Sequence, residues 1–270
     1  MKKSRIILVI LLILSSLFAL FGCQPNTDGN RNREIFSINH RGYGDAPENT
    51  LVAFRMSSEM GFNMVECDVR FTKDGIAVLL HDDTVDRTSN GKGNIADLTL
   101  EEVKELDFGS WKNKSFVGEK IPTFEEFILL CVELELCPYV EIKGEVTVEQ
   151  AQTLVDVAEK ADIAVTWISY DRNVITWLAD MRPEDRFGLV TTFIKEEQLQ
   201  FLTELSNSVE VFIDANYWLL SRRRIKLCAD YGIPLEVWTV NSKSRIKHLD
   251  TYVSGVTSDY LNAQTIFDSL

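Results

Sequence analysis

The sequence predicts a parallel (β/α)8 barrel of the TIM type. Three observations carry that prediction. From Glu34 onward, eight short β-branched runs alternate with longer stretches of helical apolar spacing. The 270 residues are enough for one barrel of this kind. Ionisable residues also gather where the runs stop, the end at which such barrels keep their chemistry. A doubly wound open sheet is the alternative, but no Gly-rich first turn accompanies the first run.

The strand-like runs are 35–40 (IFSINH), 64–70 (MVECDVR), 139–143 (YVEIK), 164–169 (AVTWIS), 186–191 (RFGLVT), 209–214 (VEVFID), 235–240 (LEVWTV) and 255–258 (GVTS). Helical spacing covers 50–60, 123–135, 147–160, 171–181, 195–206, 219–231 and 242–251. Thr123 ahead of Glu125-Glu126, and Thr147 ahead of Glu149-Gln150, are start signals of the N-cap type. One further run, 76–82 (IAVLLHD), follows 69–75 (VRFTKDG) too closely for a parallel crossover, so it must return antiparallel. Asp74-Gly75 suits a two-residue type I′ turn, which would set Lys73 opposite Ile76 and Asp68 opposite His81. A three-residue loop would slip the register and turn His81 away. Residues 75–121, rich in Gly, Asp, Asn and Lys, read as an insertion between the second strand and its helix.

The N-terminus reads differently. A basic start (MKKSR), an apolar stretch at Ile6–Phe21 and Cys23 after Gly22 suit a signal peptide of the lipoprotein type over residues 1–22, with lipidation at Cys23. An uncleaved anchor is the other reading, since Phe21 is bulky for that position. Residues 23–34 form a polar tether, leaving 35–270 as the barrel domain. The protein is thus expected to be exported and held at a membrane. The formal net charge of −13 excludes a nucleic acid as the main partner, because binding a polyanion takes clustered Lys and Arg. Cys67, Cys131, Cys137 and Cys228 match no metal spacing or dense disulfide framework.

The strand ends carry His40-Arg41, Glu66 with Asp68, His81, Glu141 with Lys143, and Trp238 with Asn241. Residues two apart on a strand share a face, so Glu66, Asp68 and Glu141 point into the mouth. Three inward carboxylates repel one another, and a hard divalent cation, Mg²⁺ or Ca²⁺, relieves that. The alternative is ion pairing with Arg41, Arg70 and Lys143. Two imidazoles at one mouth, His40 and His81, suit a general acid and base. Arg41 and Lys143 offer fixed positive charge to a phosphate. His248, on a late helix, reads as structural.

"HRGYGDAPENTLVAF", "ECDV", "TKDG…LLHDDTVDRTSNGKG", "IPTFEEF", "EIK", "VWTVN" and "GVTSDY" together resemble the glycerophosphodiester phosphodiesterase family, from about residue 36 to 260. The resemblance implies metal-dependent hydrolysis of glycerophosphodiesters to glycerol 3-phosphate and an alcohol. It implies Glu66, Asp68 and Glu141 as metal ligands, His40 and His81 as the acid/base pair, and Arg41 and Lys143 on phosphate. Glu48 of "PENT" would stand beside the site, and Trp238 would wall it. Two other readings remain: a phospholipase D-like or lysophospholipid phosphodiesterase, favoured if Phe108, Trp111 and Phe116 were exposed at the mouth, and an inactive surface binding protein.

Overall fold

The computed structural model describes residues 34–269, so the apolar stretch, Cys23 and the tether up to Arg33 lie outside the described residues. Among the described residues nine strands form one sheet. They are β1 (Phe36–Asn39), β2 (Met64–Phe71), β3 (Ala77–Leu79), β4 (Cys137–Ile142), β5 (Thr166–Ser169), β6 (Arg186–Thr191), β7 (Glu210–Asn216), β8 (Leu235–Trp238) and β9 (Val253–Ser258). All but β3 run parallel, and a β1–β2 pairing closes them into an eight-stranded barrel. Helices between the strands complete the expected TIM-type architecture.

Local chemistry explains the element boundaries. Thr123 and Thr147 each close a capping box, with Glu126 and Gln150 respectively, where the helices Phe124–Leu134 and Val148–Lys160 begin. The late helix is shorter than its apolar spacing suggests, spanning Lys243–Lys247. The helix after β7 begins at Arg222, behind the Ser221 cap. Two short helices lack a clear periodic signal, Leu100–Glu105 inside the insertion and Ala263–Asp268 at the end.

Strand alternation sorts the core into two layers. Val65, Cys67 and Val69 of β2 pack outward against the helices, and Met64 packs inward with Ile38, Tyr139, Ile168 and Phe212. Phe212 fits because β6 offers Gly188, where a Cβ would stand 2.3 Å from the Phe212 ring. The entry end of the barrel is closed by Arg186, which stacks on Phe36 and Phe212 and donates to the buried Glu236 at 2.8 Å. Tyr139 donates to the other Glu236 oxygen at 3.0 Å, so this buried carboxylate is paired from both sides.

The hairpin arm departs from the expected register. Arg70 pairs with Val78 and Phe71 with Ala77, one residue away from the two-residue-turn pairing. The turn holds three residues, Lys73-Asp74-Gly75, with Gly75 at φ +79°. Thr72 decides this: its backbone N–H donates to the Ile76 carbonyl at 3.0 Å, and its hydroxyl oxygen accepts the Ile76 N–H at 3.0 Å. The insertion holds the loop from outside, Lys73 N–H donating to the Leu98 carbonyl at 2.8 Å. Asp68 therefore does not face His81. The slip fails to remove His81 from the mouth because β3 ends at Leu79, after which the chain is free to turn. Beyond the arm, Val78, Leu80, Val85, Ile95, Val103, Phe108 and Ile121 form a small separate core.

Candidate active site

At the end of β1 the chain reverses sharply. Arg41 sits at φ +55° and Gly42 at φ +81°, and a Cβ on Gly42 would come within 2.6 Å of the Ala53 side chain. Only glycine fits there, which explains the third residue of His40-Arg41-Gly42. The reversal lets the Arg41 N–H donate to Glu66 Oε2 at 2.8 Å and the Arg41 carbonyl accept from Asn49 N–H at 2.9 Å.

Glu66, Asp68 and Glu141 converge as expected. All three are buried, with one carboxylate oxygen of each within 4.8 Å of the others. Asp68 is the most heavily partnered: Arg41 Nε lies at 3.1 Å, Lys143 Nζ at 3.2 Å, and Asn49 Nδ2 donates at 2.9 Å. Burial opposes its ionisation, but the charges of Arg41 and Lys143 outweigh that and hold its carboxyl well below the ordinary value. Burial, reinforced by the Asp68 charge, pushes Glu141 up to about 7 and Glu66 well upward. Glu141 meets Lys143 at 2.8 Å, whereas Glu66 enters no ion pair among the described residues. Arg70 turns away to Asp83. Ion pairing thus accounts for part of the cluster and leaves it short of positive charge. A compact, buried, all-oxygen donor set with one member outside any of these ion pairs fits a hard divalent cation.

Both histidines line one cavity with Arg41, Glu66, Glu141 and Lys143, in about 490 Å³ of free space open to solvent. Each imidazole rests on a carboxylate that sequence reasoning did not single out. His40 Nδ1 lies 2.7 Å from Asp259, and His81 Nδ1 lies 2.7 Å from Asp82. Ionised carboxylates only accept, so each Nδ1 donates and each Nε2 is left for chemistry. Asp82 is itself gripped by Arg87, which holds its carboxyl well below the usual range, and burial lowers the His81 imidazole. Arg87 also clasps Glu48 with bonds of 2.7 and 2.8 Å, and Glu48 accepts from Arg41 at 2.9 Å. Glu48 therefore ties the two histidine loops together.

Trp238 walls the cavity, its indole N–H donating to the Asp214 carbonyl at 3.3 Å. Asp214 was also missed; it is buried at the cavity wall with Oδ1 unpartnered, and burial pushes its carboxyl well upward. Asn241 reaches the site indirectly, through Asp259. Asp82, Asp259, Asn49 and Arg87 stand inside the quoted motifs, but their roles depend on contacts across the fold. His248 is structural, bonding the Ser244 carbonyl at 2.7 Å. Of the three aromatics named for the insertion, Phe108 is buried in its small core and Phe116 is half-buried. Trp111 is 36% exposed and lines a second cavity that shares His40 and Arg41 with the first.

Residues 40–263 match the model of the glycerophosphoryl diester phosphodiesterase family. The chain belongs to that family. YhdW of Bacillus subtilis is 32% identical over 237 residues, covering 84% of this chain and 95% of its own. A glycerophosphodiester phosphodiesterase of Caldanaerobacter subterraneus is also 32% identical, covering 82% of this chain and 93% of its own. Among solved structures, an Oleispira antarctica phosphodiesterase in complex with the product sn-glycerol-3-phosphate superposes with a TM-score of 0.78 at 28% identity. That match covers 86% of this chain and 95% of the other. Family membership accounts for the barrel and for the spread of the motifs over nearly all of its mouth.

Proposed function

We propose that this family member hydrolyses glycerophosphodiesters to glycerol 3-phosphate and an alcohol, with His40 and His81 as general acid and base. The observation that carries the reading is the pair of carboxylate-backed imidazoles lining one cavity with the acidic cluster. The Oleispira relative holding glycerol 3-phosphate supports the substrate class. Glu66, Asp68 and Glu141 would hold a divalent cation, Mg²⁺ or Ca²⁺, which when bound supplies Lewis-acid charge to phosphoryl oxygens. Arg41 and Lys143 hold those oxygens from the protein side. One imidazole takes the proton from the neighbouring glycerol hydroxyl as that oxygen attacks phosphorus. The other protonates the departing alcohol, and water then opens the cyclic phosphate.

Arg41 carries a second duty, since its contacts to Glu48 and Asp68 fix the position of its own guanidinium. Hydrolysis of glycerophosphocholine should stop on chelation and return with Mg²⁺ or Ca²⁺. Undiminished turnover in excess chelator would sink the metal assignment. The basic start, apolar stretch and Cys23 support export and lipid anchoring; loss of lipid labelling in Cys23→Ser tests that reading.

A further inference from the structure

We propose that the rim after β5, β6 and β7 is a docking surface for an anionic lipid bilayer. Four large side chains stand exposed there: Tyr170 at 51%, Phe193 at 46%, Trp218 at 63% and Leu219 at 37%. They form a connected strip. Tyr170 lines the catalytic cavity, and its hydroxyl meets Thr192, next to Phe193. Arg224 stacks on Phe193 at 5.1 Å and donates to the Leu219 carbonyl at 2.8 Å. Arg245 stacks on Trp218 at 4.0 Å. The strip therefore leads from the mouth of the site outward over one side of the barrel.

The Trp218 end of the strip carries a charge opposite to that of the chain. Residues 217–250 hold seven Lys and Arg and three acids, Asp230, Glu236 and Asp250, in a chain of net charge −13. Of the three acids, Glu236 is sealed inside the barrel and Asp230 pairs with Lys226, while Asp250 stands on the rim beside Trp218 and Arg245. Arg222, Arg223 and Arg224 occupy the first turn of the helix Arg222–Tyr231, where the helix dipole disfavours cations. The helices starting at Leu100, Phe124, Val148 and Glu196 place Glu in that turn, while those starting at Arg172 and Lys243 also begin with a cation. Aromatics at headgroup depth with Arg beside them are the composition of a membrane-interface surface, and the basic charge selects anionic lipid.

The test uses the full chain and vesicles whose acyl chains carry bromine, which quenches a tryptophan that enters the bilayer. The first 33 residues contain no tryptophan, so the N-terminal apolar stretch does not itself report. Brominated phosphatidylglycerol vesicles should quench the wild-type emission, and Trp218→Phe should lose most of that quenching. The double variant Arg224→Glu/Arg245→Glu should lose it too, with Trp218 intact, by roughly 30-fold or more in docking equilibrium, as two basic side chains near an anionic surface imply. Turnover of soluble glycerophosphocholine should be unchanged in both, which certifies the fold. Absence of quenching in the wild type, its persistence in Trp218→Phe, or equal quenching by brominated phosphatidylcholine would overturn the proposal.

Discussion

The two sides of the barrel mouth are built on opposite principles. On the side of β1, β2 and β4, much of the charge is buried and almost every charged group has a partner: Arg41 bridges Glu48 and Asp68, Lys143 bridges Asp68 and Glu141, and the more exposed Arg87 bridges Glu48 and Asp82. On the side of β6 and β7, aromatics stand in solvent with guanidiniums stacked on them: Arg224 on Phe193 and Arg245 on Trp218. Buried charge survives only if it is paired, so the first side is rigidly specified. Exposed charge is bound by no such rule, which leaves the second side free to meet an outside surface. The difference separates a part of the mouth that we propose does the chemistry from a part suited to contact.

The comparison breaks if the paired side is not catalytic. His40→Ala and His81→Ala should each lower kcat by roughly 10²–10⁴, the range for lost acid/base action. Asp82→Asn and Asp259→Asn should lower it less, by roughly 10–100-fold, the range shown by outer partners of ligating histidines. The order matters more than the sizes. If an aspartate variant were more damaging than loss of its ring, the carboxylate would have to act directly, and the assignment of the imidazoles would be wrong.

A gentler measurement sharpens the same side. Glu141 is raised to about 7 by burial and by Asp68, so the folded metal-free cluster keeps a proton there that the unfolded chain releases. Its contribution to stability is fully present below the ordinary carboxyl value near pH 4.5 and fades as pH rises through about 7. Metal must displace that proton, so affinity moves the other way. Divalent-metal affinity should rise by roughly tenfold or more per pH unit below 7, because the proton on Glu141 and the one held by the raised Glu66 must both leave. Titration calorimetry at pH 5.5 and 7.5 checks this. Equal affinity at both would remove Glu66 and Glu141, the two raised carboxyls, from the ligand set.

The same contrast explains what could be read from the sequence. Glu66, Asp68 and Glu141 were legible because strand alternation alone puts them on the inner face, and His40 was legible as a strand end. Asp259 and Asn49 were not, because their partners lie 219 and 19 residues away along the chain and only the closed barrel brings them together. The arm shows the limit of turn chemistry. Asp74-Gly75 favours a two-residue turn locally, yet bonds from Thr72 and from Leu98 of the insertion select a three-residue one. The rim strip had no periodic signal at all, since Tyr170, Phe193 and Trp218 come from three separate loops.

The smallest effect tests whether the rim's arginines are carried at the expense of the fold. Arg223 is exposed at the second position of its helix, behind the Ser221 cap. There the helix dipole favours an acid over a cation by about 0.3–1 kcal/mol. Arg223→Glu should therefore raise Tm by about 1–4 °C in a chain of this size. It should leave turnover of soluble substrate unchanged, and calorimetry at low salt is the measurement. A fall in Tm would mean that Arg223 supports the barrel through contacts of its own. The arginine turn would then belong to the fold, and the two sides of the mouth would differ less than their surfaces suggest.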